Sequence, residues 1–236
     1  MQIKILFDSV PVDNRFLGGW GVSYLIDDKV LFDTGGKPNS LLKNMQNMSV
    51  LVSDIKAIVI SHEHWDHTGG LWGLLKENSN LSIYACPHFG KKFKNRVKSY
   101  PCQLIEVDRF TRVLDNIYTT GEIEGRYGLK FIPEQALVLD TTKGITIITG
   151  CAHPGIIKII DDVKQNFPRH IYLLLGGFHL MGKDKKSIKP IIDKFREFKI
   201  SKLAPSHCTG KNATELFERE YGSDSIEVRV GEIIQI

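Results

Sequence analysis

The segment His62-Glu63-His64-Trp65-Asp66-His67 (HEHWDH) brings three imidazoles and an aspartate carboxylate into six consecutive positions. It follows an apolar run at residues 55–60 (IKAIVI), whose short length and β-branched side chains predict a buried strand. It precedes residues 68–76 (TGGLWGLLK), for which we predict a helix. We therefore expect the segment to form a strand-to-helix loop, where a rigid scaffold directs side chains into one cavity. This composition is poor for a core and well suited to a metal site.

The spacing within this segment predicts two groups of metal ligands. Because His62 and His64 are two residues apart on extended chain, we expect them to point the same way. Asp66 and His67 follow on a tighter bend, where they can face a second ion. Imidazole and carboxylate ligands without an obligatory thiolate favour zinc, with manganese, iron(II) and magnesium as alternatives.

Three further histidines each follow a predicted strand. His153 lies in TGCAHPG after residues 145–149, His179 lies in GGFHL after residues 171–175, and His207 lies in PSHCTG after residues 203–204. Glycine or small neighbours let the backbone approach a ligand closely at these places. Together with the first segment, these histidines exceed the four ligands of one tetrahedral site, which favours two ions with open positions.

Three other side chains each have two interpretations. Asp33 in LFDTGG ends a predicted strand, where it either orients a metal ligand through a hydrogen bond or forms an Asx-type turn. Cys151 and Cys208 each lie within two residues of a histidine named above. Each is either a small buried side chain or a metal ligand. The four cysteines are widely spaced, and we expect no structural disulfide among them.

Composition predicts an ordinary globular protein with one core. The 236 residues are 42% apolar and 25% charged, and no linker, repeat or low-complexity segment interrupts them. We therefore predict a single mixed α/β domain over residues 1–236, with two sheets' worth of strands. Residues 86–133 show the weakest pattern, and we interpret them as an insertion or lid over the site.

Charge and the N-terminal residues bear on partners and location. The net charge of +4 is mild, and the basic runs at residues 91–98 and 183–189 form either solvated faces or a surface for a small anionic substrate. No nucleic-acid motif and no apolar stretch of membrane length occurs, so we expect neither a polynucleotide nor a membrane as a partner. Residues 1–10 suit a first strand better than a signal peptide, which predicts a cytoplasmic protein. The sequence makes no prediction of oligomeric state.

These motifs resemble those of one protein family. HEHWDH resembles the HxHxDH signature of the metallo-β-lactamase fold superfamily, and LFDTGG resembles its first motif. The wider pattern is similar to the branch of metal-dependent hydrolases that includes the archaeal 7,8-dihydropterin-6-methyl-4-(β-D-ribofuranosyl)aminobenzene 5'-phosphate synthase. The motifs that carry this similarity are WGVSYLI, LFDTGG, SHEHWDHTGGL, PEQALVL, TGCAHPGI, GGFHL and PSHCTG, which together run from about Trp20 to Gly210.

The resemblance implies a fold and a ligand set. The fold would be a four-layer αββα sandwich of two mixed sheets flanked by helices. One metal site would take His62, His64 and His153, and a second would take Asp66, His67 and His207. The superfamily usually places an aspartate that bridges both ions after the strand that here precedes His179. This chain has Gly176-Gly177-Phe178-His179 at that place, so His179 would instead bind one ion or donate to substrate.

Three functions remain as hypotheses. In the first, a metal-activated water, its pKa lowered to roughly 7, attacks a phosphoryl or acyl centre of a small anionic substrate. Asp66 and His179 are then the catalytic residues, and His64, where the flavodiiron branch has glutamate, argues for hydrolysis over oxygen reduction. In the second, the protein joins a dihydropterin methyl pyrophosphate to a ribosyl-aminobenzene phosphate. In the third, it is a non-catalytic metal-binding domain.

Overall fold

The computed structural model describes residues 1–236, and the chain folds into two compact units. The first unit contains Met1–Arg109 together with Arg229–Ile236, and the second contains Phe110–Val228. Each unit has its own sheet, its own helices and its own apolar cluster. The predicted α/β class with two mixed sheets is therefore confirmed.

A seven-stranded sheet forms the first unit, in the order β15-β1-β2-β3-β4-β5-β6. Strands β15, β1, β2 and β3 pair antiparallel, with β2 and β3 joined by a hairpin, whereas β3, β4, β5 and β6 run parallel to one another. The carboxyl ends of these parallel strands therefore share one edge. The strands are β1 (Gln2–Phe7), β2 (Ser23–Ile26), β3 (Val30–Phe32), β4 (Ala57–Val59), β5 (Ser82–Ala85), β6 (Gln103–Glu106) and β15 (Ile233–Gln235).

Four helices accompany this sheet: α1 (Pro38–Asn47), α2 (Trp65–Thr68), α3 (Leu71–Glu77) and α4 (Lys91–Lys98). Helix α1 begins at a proline, whose missing N–H costs nothing in the first turn. Leu41 of α1 and Leu74 of α3 are fully buried and belong to one apolar cluster with Ile58 of β4. This packing anchors the segment between β4 and α3, which contains the histidine-rich loop.

The single helix predicted at residues 68–76 is wrong, because α2 and α3 are separate helices divided at Gly69 and Gly70. A Cβ on Gly70 would lie 2.1 Å from the carbonyl oxygen of Thr34. The break thus follows from a tertiary contact that only glycine permits. As a result, Asp66 and His67 lie on the short helix α2, and His64 caps its start.

A six-stranded sheet forms the second unit, in the order β14-β13-β12-β11-β8-β7. Strands β12, β13 and β14 are parallel, and the remaining neighbours are antiparallel. A separate hairpin pairs β9 with β10. The strands are β7 (Thr111–Leu114), β8 (Ile117–Thr119), β9 (Ile123–Tyr127), β10 (Lys130–Glu134), β11 (Leu137–Thr141), β12 (Gly144–Thr149), β13 (Ile171–Gly176) and β14 (Lys202–Pro205).

The helices of the second unit are α5 (Ile156–Asn166), α6 (Lys185–Glu197) and α7 (Lys211–Tyr221). Asp184 caps α6, because its side chain accepts a hydrogen bond from the Ser187 N–H at 2.9 Å. None of the helices in either unit has the length and hydropathy needed to cross a bilayer.

Three stretches differ from the predictions or extend them. The apolar pattern of residues 134–140 predicts one strand, but in the structure Glu134 ends β10 and β11 begins at Leu137. The sequence of residues 227–230 predicts a closing strand, which is wrong, since only Val230 of these residues forms an isolated bridge and the strand lies at Ile233–Gln235. A turn at Gly231, with φ of +102°, separates the two. Residues 86–133 contain α4 and β6 to β9 with most of β10, and their role as a lid stays a prediction.

An aromatic cluster forms part of the apolar core of the second unit. Phe178 follows β13, Phe195 lies on α6 and Phe217 on α7, and each is at most 1% exposed. The rings of Phe195 and Phe217 stack with centroids 5.5 Å apart, and Phe178 meets both edge-on. Because Phe178 precedes His179, this cluster also fixes the position of the His179 loop.

We predict that Phe217→Ala lowers the free energy of unfolding by about 3–5 kcal/mol, since it leaves a cavity among buried rings. Urea unfolding followed by far-UV circular dichroism measures this change. The control is Leu129→Ala, which removes a side chain that is 98% exposed and should change stability by no more than about 0.5 kcal/mol. Equal effects of the two substitutions would contradict the packing described here.

Candidate metal centre

The carboxyl ends of β3 and β4 bring the first set of predicted site residues together. Asp33 directly follows β3, and Ser61 and His62 follow β4 after Ile60. Since these strands are parallel neighbours, the side chains after their ends share one edge of the sheet. Asp33, Ser61, His62 and His67 are all fully buried there.

Asp33 is the centre of a hydrogen-bond network in the first unit. Its Oδ1 accepts the backbone N–H of Ser61 at 2.7 Å, and its Oδ2 accepts the Ser61 hydroxyl at 2.6 Å. The same Oδ2 accepts Nδ1–H of His67 at 2.6 Å. A neutral His67 that donates through Nδ1 has its lone pair on Nε2, the atom left for an ion. Asp33 therefore orients a predicted ligand, as one of its two interpretations expects.

His62 is held in the same tautomer through Ser61. Because the Ser61 hydroxyl gives its proton to Asp33, its oxygen accepts Nδ1–H of His62 at 2.9 Å. Nε2 of His62 then carries the lone pair, and it lies 3.1 Å from Nδ1 of His64. Two nitrogens on one tetrahedral zinc, each about 2.05 Å from the ion, would be about 3.3 Å apart. The separation in this protein thus fits a pair of ligands to one ion.

Asp66 and His67 form the second pair predicted from the segment. Oδ2 of Asp66 lies 3.5 Å from Nε2 of His67, the nitrogen that Asp33 leaves available. Both residues lie on α2 and are buried. One carboxylate oxygen and one imidazole nitrogen at this distance can bind a single divalent ion.

The remaining predicted histidines lie at one edge of the second sheet. Thr149 of β12 is in register with Gly176 of β13, which is in register with Pro205 of β14. The three loops that follow these strands therefore begin side by side at the carboxyl edge of the sheet. These loops carry His153, His179 and His207. The ring centroids of His153 and His179 are 4.7 Å apart.

Glu134 is a site residue that the sequence analysis missed. Its Oε1 accepts the backbone N–H groups of Cys151 and Ala152, at 2.9 and 2.7 Å. Its Oε2 accepts both the backbone N–H and the ring Nδ1–H of His153, at 2.8 and 2.7 Å. Glu134 thus does for His153 what Asp33 does for His67, and it leaves Nε2 of His153 as the ligand atom. The motif PEQALVL contained this signal, a carboxylate at the edge of an apolar run.

The two buried carboxylates differ in their acidity. Burial raises the pKa of Glu134, but the bonds from His153 and the backbone outweigh it and lower the value to about 2. Burial also raises the pKa of Asp33, and there the bonds from His67 and Ser61 do not outweigh it. The difference follows from the donors, since three backbone N–H groups stabilise the Glu134 carboxylate and one stabilises that of Asp33.

His179 is half-buried, and its Nδ1 is buried without a hydrogen-bond partner. The Tyr127 ring approaches edge-on, with centroids 5.6 Å apart. Interaction with the Cys208 side chain raises the pKa of His179 and outweighs burial. A buried imidazole nitrogen without a partner is uncommon in proteins, because its desolvation goes uncompensated. A metal ion or a substrate atom would provide that partner.

The loops that carry these residues adopt left-handed backbone conformations. Values of φ are +55° at Asp33, +60° at Ala152, +55° at His179 and +48° at His207. Non-glycine residues seldom adopt this region, and each costs on the order of 1–3 kcal/mol. Four such residues follow strands of the two sheets. We infer that the backbone accepts this cost in order to orient the side chains of these loops.

The donors fit a divalent metal ion. Three imidazoles have Nδ1 held by buried carboxylate or hydroxyl oxygens, which leaves Nε2 available. Within the second unit, ligand atoms of Cys151, His153 and His179 lie within 4.8 Å of one another, as do those of Cys151, His207 and Cys208. Imidazole, carboxylate and thiol are the ligand types that zinc takes in proteins.

We predict that Glu134→Gln weakens metal affinity by about 10–100-fold, because the amide no longer supplies two anionic oxygens to the His153 loop. Stability should fall by about 1–3 kcal/mol as buried N–H groups lose an acceptor. Titration with a competing chelator and urea unfolding measure the two effects. Glu124→Gln is the matched control, since that side chain is exposed and pairs only with Arg126 in the described contacts. Wild-type affinity in Glu134→Gln would contradict the assigned role.

Comparison with known proteins gives consistent relatives. A 7,8-dihydropterin-6-methyl-4-(beta-D-ribofuranosyl)-aminobenzene-5'-phosphate synthase of Methanocaldococcus jannaschii is 28% identical, with 97% of this chain and 94% of the relative covered. The crystal structure of a metal-dependent hydrolase of the beta-lactamase superfamily is also 28% identical and has a TM-score of 0.84 over 100% of this chain and 99% of the other. The metallo-beta-lactamase fold protein YhfI from Bacillus subtilis has a TM-score of 0.68 at 13% identity, over 99% of each chain.

Residues 19–207 match the family model of the Metallo-beta-lactamase superfamily. This range contains every site residue predicted from the sequence, and members of the superfamily bind metal ions. The match confirms the resemblance inferred from HEHWDH and LFDTGG, and with it the metallo-β-lactamase-like fold class. The chain belongs to the metallo-β-lactamase superfamily.

Proposed function

We propose that this protein is a metal-dependent hydrolase that acts on a small anionic substrate with a phosphoryl or acyl centre. The observation that carries the proposal is the pair His62 Nε2 and His64 Nδ1, which lie 3.1 Å apart with the tautomer of His62 fixed by Ser61. That separation is close to the spacing of two nitrogen ligands on one tetrahedral ion. Membership of the superfamily and the 28% identity to a metal-dependent hydrolase support the same function.

The proposed ligands lie after β4, on α2, after β12 and after β14. They are His62, His64, Asp66, His67, His153 and His207, and they would hold one or two divalent ions, of which zinc best suits the donor types. When bound, such an ion supplies a Lewis acid and lowers the pKa of a coordinated water. Asp33 and Glu134 fix the orientation of His67 and His153 through their Nδ1–H groups.

Two side chains are proposed to handle protons and substrate. Asp66 would orient the attacking water and accept its proton, because its carboxylate lies beside Nε2 of His67. His179 would donate a proton to the leaving group or hold the substrate through its ring nitrogens. Its raised pKa favours the protonated, donating form. Tyr127, which is 61% exposed beside the His179 ring, borders the same loop.

Cationic side chains support an anionic substrate. The basic run predicted at residues 91–98 is helix α4, which starts beside the metal loop because the Gly90 N–H donates to Glu63 at 2.6 Å. In the second unit, Lys183 is close enough to His179 to act on its pKa electrostatically. Positive charge near both loops would attract a phosphorylated or carboxylated molecule.

A second candidate function is group transfer. It is favoured by the similarity to the Methanocaldococcus jannaschii synthase over 97% of this chain. In this case the protein would join a dihydropterin methyl pyrophosphate to a ribosyl-aminobenzene phosphate, so that an aromatic ring rather than water attacks. The same metal ligands would then serve a leaving pyrophosphate.

We predict that His64→Ala lowers both metal content and hydrolysis, the latter by more than about a hundredfold, since the ion loses one of its positioning ligands. Metal analysis per chain and assays with phosphodiester, lactone and thioester substrates provide the measurement. His170→Ala is the control, because that exposed ring binds only Ser201 in the described contacts. Full activity in the metal-stripped wild type would refute the hydrolase, and turnover of none of these substrates by the metal-loaded protein would favour a binding domain.

The transferase makes a separate prediction. Incubation of the metal-loaded protein with both the dihydropterin pyrophosphate and the ribosyl-aminobenzene phosphate should give the coupled product with release of pyrophosphate. Mass spectrometry of the products detects it. Formation of hydrolysis products alone would reject the transferase and leave the hydrolase.

A further inference from the structure

Two buried thiols lie in the loops that carry the predicted histidines of the second unit. Cys151 follows β12 two residues before His153, and Cys208 directly follows His207 after β14. The two cysteines are 5% and 6% exposed, and neither forms a disulfide. The function proposed above uses neither thiol as a metal ligand.

The thiols and His207 form a group of their own. The Sγ atoms of Cys151 and Cys208 and a ring nitrogen of His207 all lie within 4.8 Å of one another. On a tetrahedral zinc, with Zn–S about 2.3 Å and Zn–N about 2.0 Å, the sulfurs would be about 3.8 Å apart. Atoms within 4.8 Å of one another would have to approach by about an ångström to bind one ion together. Two cysteines and one histidine with an open fourth position are a known ligand set of catalytic zinc.

The backbone at Gly177 packs closely against the Sγ atom of Cys208. A Cβ on Gly177 would lie 2.6 Å from Sγ of Cys208 and 2.4 Å from the carbonyl oxygen of Gly150. Only glycine at position 177 thus leaves room for the sulfur at this place. The Cys208 thiol also donates to the carbonyl oxygen of Cys151 at 3.5 Å, which directs it toward the other cysteine loop.

Charge balance gives a reason for anionic ligands here. The chain after β13 reads Gly176-Gly177-Phe178-His179, so this loop supplies no carboxylate. A divalent cation in a buried site needs anionic partners, because uncompensated charge is costly there. Two thiolates from the neighbouring loops would supply that charge.

We propose that Cys151 and Cys208 bind a metal ion as thiolates together with His207, and that this group selects zinc over magnesium and manganese. On binding, each thiol loses its proton to solvent and forms one sulfur–metal bond, so that two protons leave per ion. Soft thiolate ligands favour zinc, whereas magnesium and manganese prefer oxygen. The inference rests on the proposed metal site, to which it adds two thiolate ligands beside His207 and a reason for zinc.

Cobalt(II) substitution tests the proposal in the full-length protein. Thiolate–cobalt bonds give a near-ultraviolet charge-transfer absorption that nitrogen and oxygen ligands lack. We expect this band in the cobalt-loaded wild type and a loss of roughly half of it in Cys151→Ser and in Cys208→Ser, since each removes one of two sulfurs. Cys86→Ser and Cys102→Ser are matched controls, because these cysteines belong to the first unit and should keep the full band. Far-UV circular dichroism establishes that each variant is folded.

X-ray absorption of the zinc-loaded wild type tests the proposal without any substitution. Sulfur neighbours at about 2.3 Å are expected, and a shell of only nitrogen and oxygen at about 2.0–2.1 Å would overturn it. Absence of the charge-transfer band in cobalt-bound wild type, or a full band in both cysteine variants, would also overturn it. These readouts need no turnover. Sulfur ligation without hydrolysis would therefore contradict only the proposed function, and hydrolysis without sulfur ligation only this inference.

Discussion

A buried carboxylate that accepts Nδ1–H of a histidine is the interaction on which the arrangement of this protein's site depends. It occurs as Asp33 with His67 in one unit and as Glu134 with His153 in the other. A charge buried this deeply is tolerated only where several donors surround it, and both carboxylates have three or more hydrogen bonds. The same bonds that stabilise the charge select the tautomer, so that packing and ligand chemistry are satisfied together.

The sequence was sufficient to predict where the candidate site residues lie in the fold. HEHWDH follows β4, and the three further histidines follow β12, β13 and β14, because a short apolar strand followed by polar residues marks the end of a parallel strand. Glu134 could not be found this way, since its partners lie 17 to 19 residues further along the chain. The break between α2 and α3 was missed for a similar reason. It comes from the close approach of Gly70 to Thr34, which no local propensity encodes.

The loop after β13 has a histidine in place of a carboxylate, which changes the groups that could supply negative charge to a bound ion. Where the superfamily usually has a bridging aspartate, this chain has a histidine in a left-handed conformation, seated on Phe178. Imidazole is neutral when it binds, so the negative charge that an ion needs must come from elsewhere. The cysteines beside His153 and His207 are one possible source, and the carboxylate of Asp66 is another. The choice between them bears on which metal the protein retains.

The contacts of Glu134 also have a consequence for metal binding. Its carboxylate gathers three consecutive N–H groups, from Cys151 to His153, and so the loop is assembled around an anion that belongs to the chain itself. An ion bound by His153 would therefore not have to order that loop. Zinc-finger domains, by contrast, unfold when the metal leaves. For the proposed metal site of this protein, we therefore expect the ion to bind to a loop that is already folded.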